Sequence, residues 1–183
     1  MVTRLGAKIN RALIAGTIDS SERRESESGQ SFRFNLIDVT GTHRVEVSPF
    51  NPELHPEAEE IHARFERGDR FIMMVVGKQR SFTTEDGGVF TSYNAQEMRE
   101  INSQIYAEWL AETADATLRR IDAYEKALTA EQSMAGFRGA GIPEDLVDGM
   151  LLSRAHYPDF ESEVYMLDAV SYTHLTLPTM MSV

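Results

Sequence analysis

The stretch from Pro56 to Arg67, PEAEEIHARFER, decides the fold, because it sets one short helix between two groups of strands. Pro56 and the acidic residues behind it suit a first helical turn, Ile61 and Phe65 sit four apart on one face, and Gly68 closes the segment. Upstream, SFRFNLIDV (residues 31–39) alternates Phe32, Phe34 and Leu36 with Arg33, Asn35 and Ile37, the period of a strand with one buried face. Val39-Thr40-Gly41-Thr42 then turns the chain. HRVEVSPF (43–50) alternates again, with Val45 and Val47 against Arg44 and Glu46, until Pro49 and Pro52 stop it. Further upstream, INRALIAGTI (9–18) is apolar around Gly16 and suits a first strand that bends; the wholly polar DSSERRESESGQ (19–30) reads as a solvated connection. Downstream, RFIMMVVGKQRSF (70–82) is a fourth strand with a kink at Gly77, and the Asp86-Gly87-Gly88 turn returns it as a fifth, VFTSYNAQEM (89–98).

Strand, strand, strand, helix, strand, strand, with the first strand bent, is the plan of the OB-fold, a five-stranded barrel; other small barrels share parts of it. The expectation is an α+β chain with an OB-fold domain over residues 1–101 and a helical C-terminal region over 102–169. In that region Ile101, Ile105 and Trp109, then Leu118, Ile121, Tyr124 and Leu128, recur at helical spacing over about seven turns. After the Gly-rich break GFRGAG, a second helix opens at Pro143 and buries Leu146, Val147, Met150 and Leu151, and a third is expected from Pro158. The last 13 residues, SYTHLTLPTMMSV, contain no Lys, Arg, Asp or Glu. VSYTHLTLPT (170–179) looks like the translation of a transposon-derived sequencing adapter, so 170–183 is read as foreign.

The chain has 183 residues, a net charge of −11 and 42% hydrophobic residues, enough to bury one or two small cores. No run of eighteen apolar residues occurs and no charged-then-apolar leader opens the chain, so a cytoplasmic location is expected. Without cysteine, disulfides, thiolate zinc sites and cysteine nucleophiles are excluded. The acidity is uneven: 13 Lys and Arg stand against 16 Asp and Glu up to residue 101, and 5 against 13 beyond it. Arg outnumbers Lys by 15 to 3, which suits a GC-rich genome, a high-salt cytoplasm, or both. There is no phosphate loop and no Ser-centred elbow, and His43, His55, His62 and His156 lack ligand spacing. Neither catalysis nor a cofactor or metal is expected.

Five pieces together resemble one family: GAKINRALIAGTI, DVTGTHRVEVSPFNPE, VVGKQRSFTTEDGGVFTS, EWLAETADATLRRIDAY and RAHYPDFESEVYMLDAV. In order and spacing over residues 6–170 they are similar to archaeal replication protein A, and above all to the RPA-associated partner proteins of haloarchaea. The resemblance implies a single OB-fold that handles single-stranded DNA together with a replication protein A subunit, in DNA replication and repair, followed by a helical region. The acidic, Arg-rich composition agrees with a salt-loving source. The zinc module that some archaeal relatives carry is excluded by the missing cysteines.

An OB-fold holds a single strand across strands 2 and 3, between the loops that join strands 1 to 2 and 4 to 5. Phosphates call for cations there and bases call for flat faces to stack on. GKQRSFTTEDGGVFTSY (77–93) offers both: Lys78, Arg80 and Phe82 share one parity, and Tyr93 is expected to join them from strand 5. On the central strands Arg33, Asn35 and Arg44 face away from Phe32, Phe34 and Leu36, and Phe50 ends strand 3. These eight are the candidate DNA-binding residues. Each has a plainer reading: Phe82 and Tyr93 as cover for the barrel, Lys78 and Arg80 as an edge that resists strand pairing. Trp109 reads as helix core, and Arg23 and Arg24 as partners of Glu22, Glu25 and Glu27. Two functions follow, a single-strand-binding subunit or an assembly subunit that grips protein and has little DNA affinity. Stacking does not distinguish RNA from DNA.

Overall fold

The computed structural model describes residues 2–160, which form two compact units. Residues 10–106 make the first. Its strands are β1 (Arg11–Ser26), β2 (Gly29–Asp38), β3 (Gly41–Val47), β4 (Ile72–Thr83) and β5 (Val89–Ile101), with helix α1 (His55–Glu66) between β3 and β4. They close in the order β1-β2-β3-β5-β4, antiparallel except where β3 meets β5. That order, with the helix in that place, is the OB-fold. An outward-facing row runs in register from Glu22 through Arg33, Glu46, Asn94 and Lys78 and returns to β1 at Arg11, the stagger that a closed barrel requires.

The alternation read in β2 and β3 places Phe32, Phe34, Leu36, Val45 and Val47 inside, all fully buried. Ala58 and Ile61 of α1 join the same core, and Phe65 packs against it. β1 pairs with β4 up to Thr17 and with β2 from Thr17 onward, so it bends there. Gly16 permits the bend: a Cβ on it would lie 2.5 Å from the Ile37 carbonyl oxygen. At Gly77 the β4–β5 register shifts, and a Cβ would meet that of Tyr93 at 2.9 Å.

The polar stretch 19–30 is not a solvated connection. β1 runs through it to Ser26, in register with β2 from Glu22↔Arg33 to Ser26↔Gly29. Its side chains are solvated while its backbone is paired. Arg24 holds Glu22 at 2.6 Å, and Arg23 holds Glu25 at 3.1 Å and Glu59 at 3.0 Å.

The second unit comprises residues 2–9 and 107–160, with most of helix α2 (Ser103–Thr129), then α3 (Met134–Gly139) and α4 (Glu144–His156). Tyr124, Phe137, Val147 and Met150 are fully buried, and Leu5 joins their core. The N-terminal turn lies against α4: Ser153 Oγ donates to the Arg4 carbonyl, and a Cβ on Gly149 would overlap the Gly6 carbonyl oxygen. The expected break at GFRGAG is mostly helix, because Ser133 caps α3 by accepting from the Gly136 N–H at 2.9 Å while Phe137 enters the core. Pro143 caps α4 instead of opening it. The apolar stripe of α2 is buried only in part: Ile105 and Leu128 are exposed, and Trp109 is half-buried. The helix expected after Pro158 and the tail 170–183 lie outside the described residues, apart from a turn at 158–159.

Candidate nucleic-acid interface

β4 and β5 continue past the barrel as a two-stranded arm. Its tip is closed by the Thr84 N–H donating to the Gly88 carbonyl (2.8 Å) and the Gly87 N–H donating to that of Thr84 (3.0 Å), with Gly87 at φ +85°. Hydrogen bonds from Thr84, then from the Asp86 and Gly88 backbone, hold the Asp86 carboxyl below its usual range. The register pairs Lys78 with Asn94, Arg80 with Ser92 and Phe82 with Phe90. Lys78, Arg80 and Phe82 therefore share one outward face, and Phe90 completes it. The rings of Phe82 and Phe90 stack at 5.4 Å with 16° between planes, yet remain 58% and 47% exposed. Burying a phenylalanine is worth about 1.5–3 kcal/mol, so folding alone gives no reason for a solvated pair at an arm's tip.

Tyr93 does not share that face. It pairs with Gln79, packs partly against the barrel core, and meets the His43 ring edge-on at 6.1 Å. Burial raises its phenol above the ordinary pKa, and the charge of Asp38 adds to the shift. Asp38 itself, at the end of β2, is a site the sequence reading passed over. Its side chain is 5% exposed and accepts from the Thr40 N–H (2.7 Å), Thr40 Oγ1 (2.6 Å) and the Gly41 N–H (3.0 Å), with His43 Nε2 at 3.0 Å. Burial pushes this carboxyl up, but the hydrogen bonds from His43 and Thr40 outweigh it and leave the pKa lowered.

On the central strands Arg33 and Asn35 stand directly across from Glu46 and Arg44. Arg33 is engaged: Glu46 holds its guanidinium at 3.1 Å and Glu22 lies at 3.8 Å. Arg44, Lys78 and Arg80 make no ion pair or side-chain hydrogen bond with another described residue. Phe50 follows β3 and is 82% exposed. It lies at the end nearer the β1–β2 hairpin, where Pro49 comes close to Gly29. The predicted residues thus fall into an arm group (Lys78, Arg80, Phe82), a floor group (Arg33, Asn35, Arg44) and Phe50 at the far end, with Tyr93 turned away from the arm group.

Among the described residues no cluster of His, Asp and Glu could hold a metal ion, and no helix is long and apolar enough to cross a membrane.

No protein-family model matches the sequence, and no curated protein matches it. Among solved structures, the chain is similar to a single-stranded DNA binding protein from Thermus aquaticus, at 18% identity over 52% of this chain and 51% of that one, TM-score 0.37. A Plasmodium falciparum single-stranded DNA binding protein in complex with single-stranded DNA matches at 13% identity over 52% of this chain and 97% of that one, TM-score 0.36. An OBody bound to hen egg-white lysozyme matches at 13% over 51% and 94%, TM-score 0.36. The first two are single-strand binders and the third is bound to a protein. At these scores the likeness adds nothing to the strand order and register described above.

Proposed function

We propose that the protein binds single-stranded DNA through the β4–β5 arm and the adjoining outer face of the barrel, and acts beside a replication protein A subunit in DNA replication and repair. One observation carries the binding: two stacked, solvent-exposed phenylalanines on the same face as two cations that hold no carboxylate among the described residues. The rings offer a stacking platform and the cations a path for phosphates, the pairing that sequence-indifferent single-strand binding uses. Phe50 offers a second flat face at the other end. The pairing with replication protein A rests on the resemblance of residues 6–170 alone.

The test is a fluorescence-anisotropy titration of labelled oligo-dT with the full chain, in about 0.1 M and then multimolar KCl. At molar salt the Debye length is about 3 Å, so the electrostatic share shrinks and stacking persists. Phe82→Ala or Phe90→Ala should weaken binding by about 1–3 kcal/mol in both buffers. Arg80→Ala should matter mainly in the dilute one. A folded wild type that binds in neither buffer overturns the reading and favours the assembly subunit, whose partner would bury the same phenylalanines.

A further inference from the structure

We infer that the phosphate backbone of the bound strand runs over β3, β5, β4 and β1, from Arg44 past Arg80 and Lys78 to Arg11, and leaves aside the β2 side of the floor at Arg33. This path rests on the single-strand-binding reading above and assigns Arg11, on β1, to the site.

The register places these cations in one band. Arg44 precedes Val45, the β3 partner of Tyr93, so Arg44 and Ser92 are neighbours across the β3–β5 pair. Ser92 stands opposite Arg80, and Lys78, two residues along the same face of β4, stands opposite Arg11. Arg11 and Lys78 are both exposed, and neither holds a carboxylate among the described residues. Like charges directly opposite on neighbouring strands destabilise a sheet. Carboxylates are not scarce in a chain with 29 Asp and Glu to 18 Lys and Arg. Arg23, Arg24, Arg64, Arg119 and Arg138 each hold one. Arg67, Arg70 and Arg99 among others hold none among the described residues, so what sets Arg11 and Lys78 apart is that they face each other across β1 and β4. An unneutralised pair of facing cations in such a chain fits a site for an external anion, and a phosphate seated between them removes their repulsion. Arg33, on β2, is the reverse case: a phosphate approaching it must first displace Glu46 and pass Glu22.

Anisotropy titrations of oligo-dT with full-length wild type, Arg11→Ala and Arg33→Gln, from about 0.05 to 0.3 M KCl, test the path. Arg11→Ala should bind about fivefold more weakly at the lowest salt, with the slope of log K against log salt reduced by about 0.7, one phosphate's share on a single strand. Arg33→Gln should stay within about twofold of wild type. The thermal midpoint of Arg11→Ala without DNA should be no lower than that of wild type, because the substitution relieves repulsion. A lower midpoint makes Arg11 a structural partner and overturns the inference. Wild type that binds while Arg11→Ala is unchanged overturns the path and leaves the function standing. Equal losses in both variants put Arg33 and β2 on the path and overturn it as drawn. Wild type that does not bind at all overturns both readings together.

Discussion

At the end of β2 the Asp38 carboxylate keeps its charge although its side chain is nearly enclosed, because Thr40, Gly41 and His43 all meet it at hydrogen-bonding distance. Its pKa is lowered on folding, so the sign is that of a stabilising anion. The contribution is complete above the unfolded carboxyl's pKa of about 4 and is lost as pH falls through the folded value. Asp38→Asn should cost about 1–3 kcal/mol at pH 7, and the gap in thermal midpoint to wild type should narrow as pH falls below about 4. A gap that stays constant over that range would mean the charge has no part in it. Phe90 and Tyr93 show what the sequence withheld at this scale. A four-residue turn, Glu85–Gly88, would have paired Arg80 with Tyr93. The observed loop spans five residues, between Thr83 and Val89, so even numbers face even numbers and Phe90 takes the place expected of Tyr93. Loop length by one residue decides a whole face, and Thr84 could be read equally as strand or as turn.

Among the elements, β1 carries the most structural constraint, since it serves two neighbours in turn and bends between them. Gly16→Ala should lower barrel stability by about 1–3 kcal/mol, because the new Cβ meets backbone at Ile37 that cannot rotate away. A urea midpoint equal to wild type would show that β1 and β2 can part there without loss. The helix α1, the alternation of β2 and β3, and the kink at Gly77 were legible because each is set by local spacing. The outer half of β1 was not: a strand whose two faces are both solvated has no apolar period, and its Glu and Arg side chains resemble those of a loop. The short helix α3 was hidden for another reason. The glycines of GFRGAG, Gly136 and Gly139 within the helix and Gly141 just beyond it, argue for a break, and the tertiary burial of Phe137 overrides them.

For the molecule as a whole, a net charge of −11 means that compactness opposes self-repulsion, and salt weakens that opposition. The thermal midpoint should therefore rise steadily between about 0.1 M and multimolar KCl, even without DNA. A flat or falling midpoint would assign the acidity to local pairs and not to the overall field. The strand order of the barrel was legible from the succession of elements. That residues 2–9 pack with the helices was not, because nothing in a short N-terminal stretch states which core its one leucine joins. The junction of Arg4 with Ser153 joins positions 149 residues apart in the chain. During synthesis at about 5–20 residues per second, residues 2–9 wait on the order of 10 s for α4 to be made. All five strands of the barrel emerge within that wait. The barrel can thus close before the helical core has all its parts.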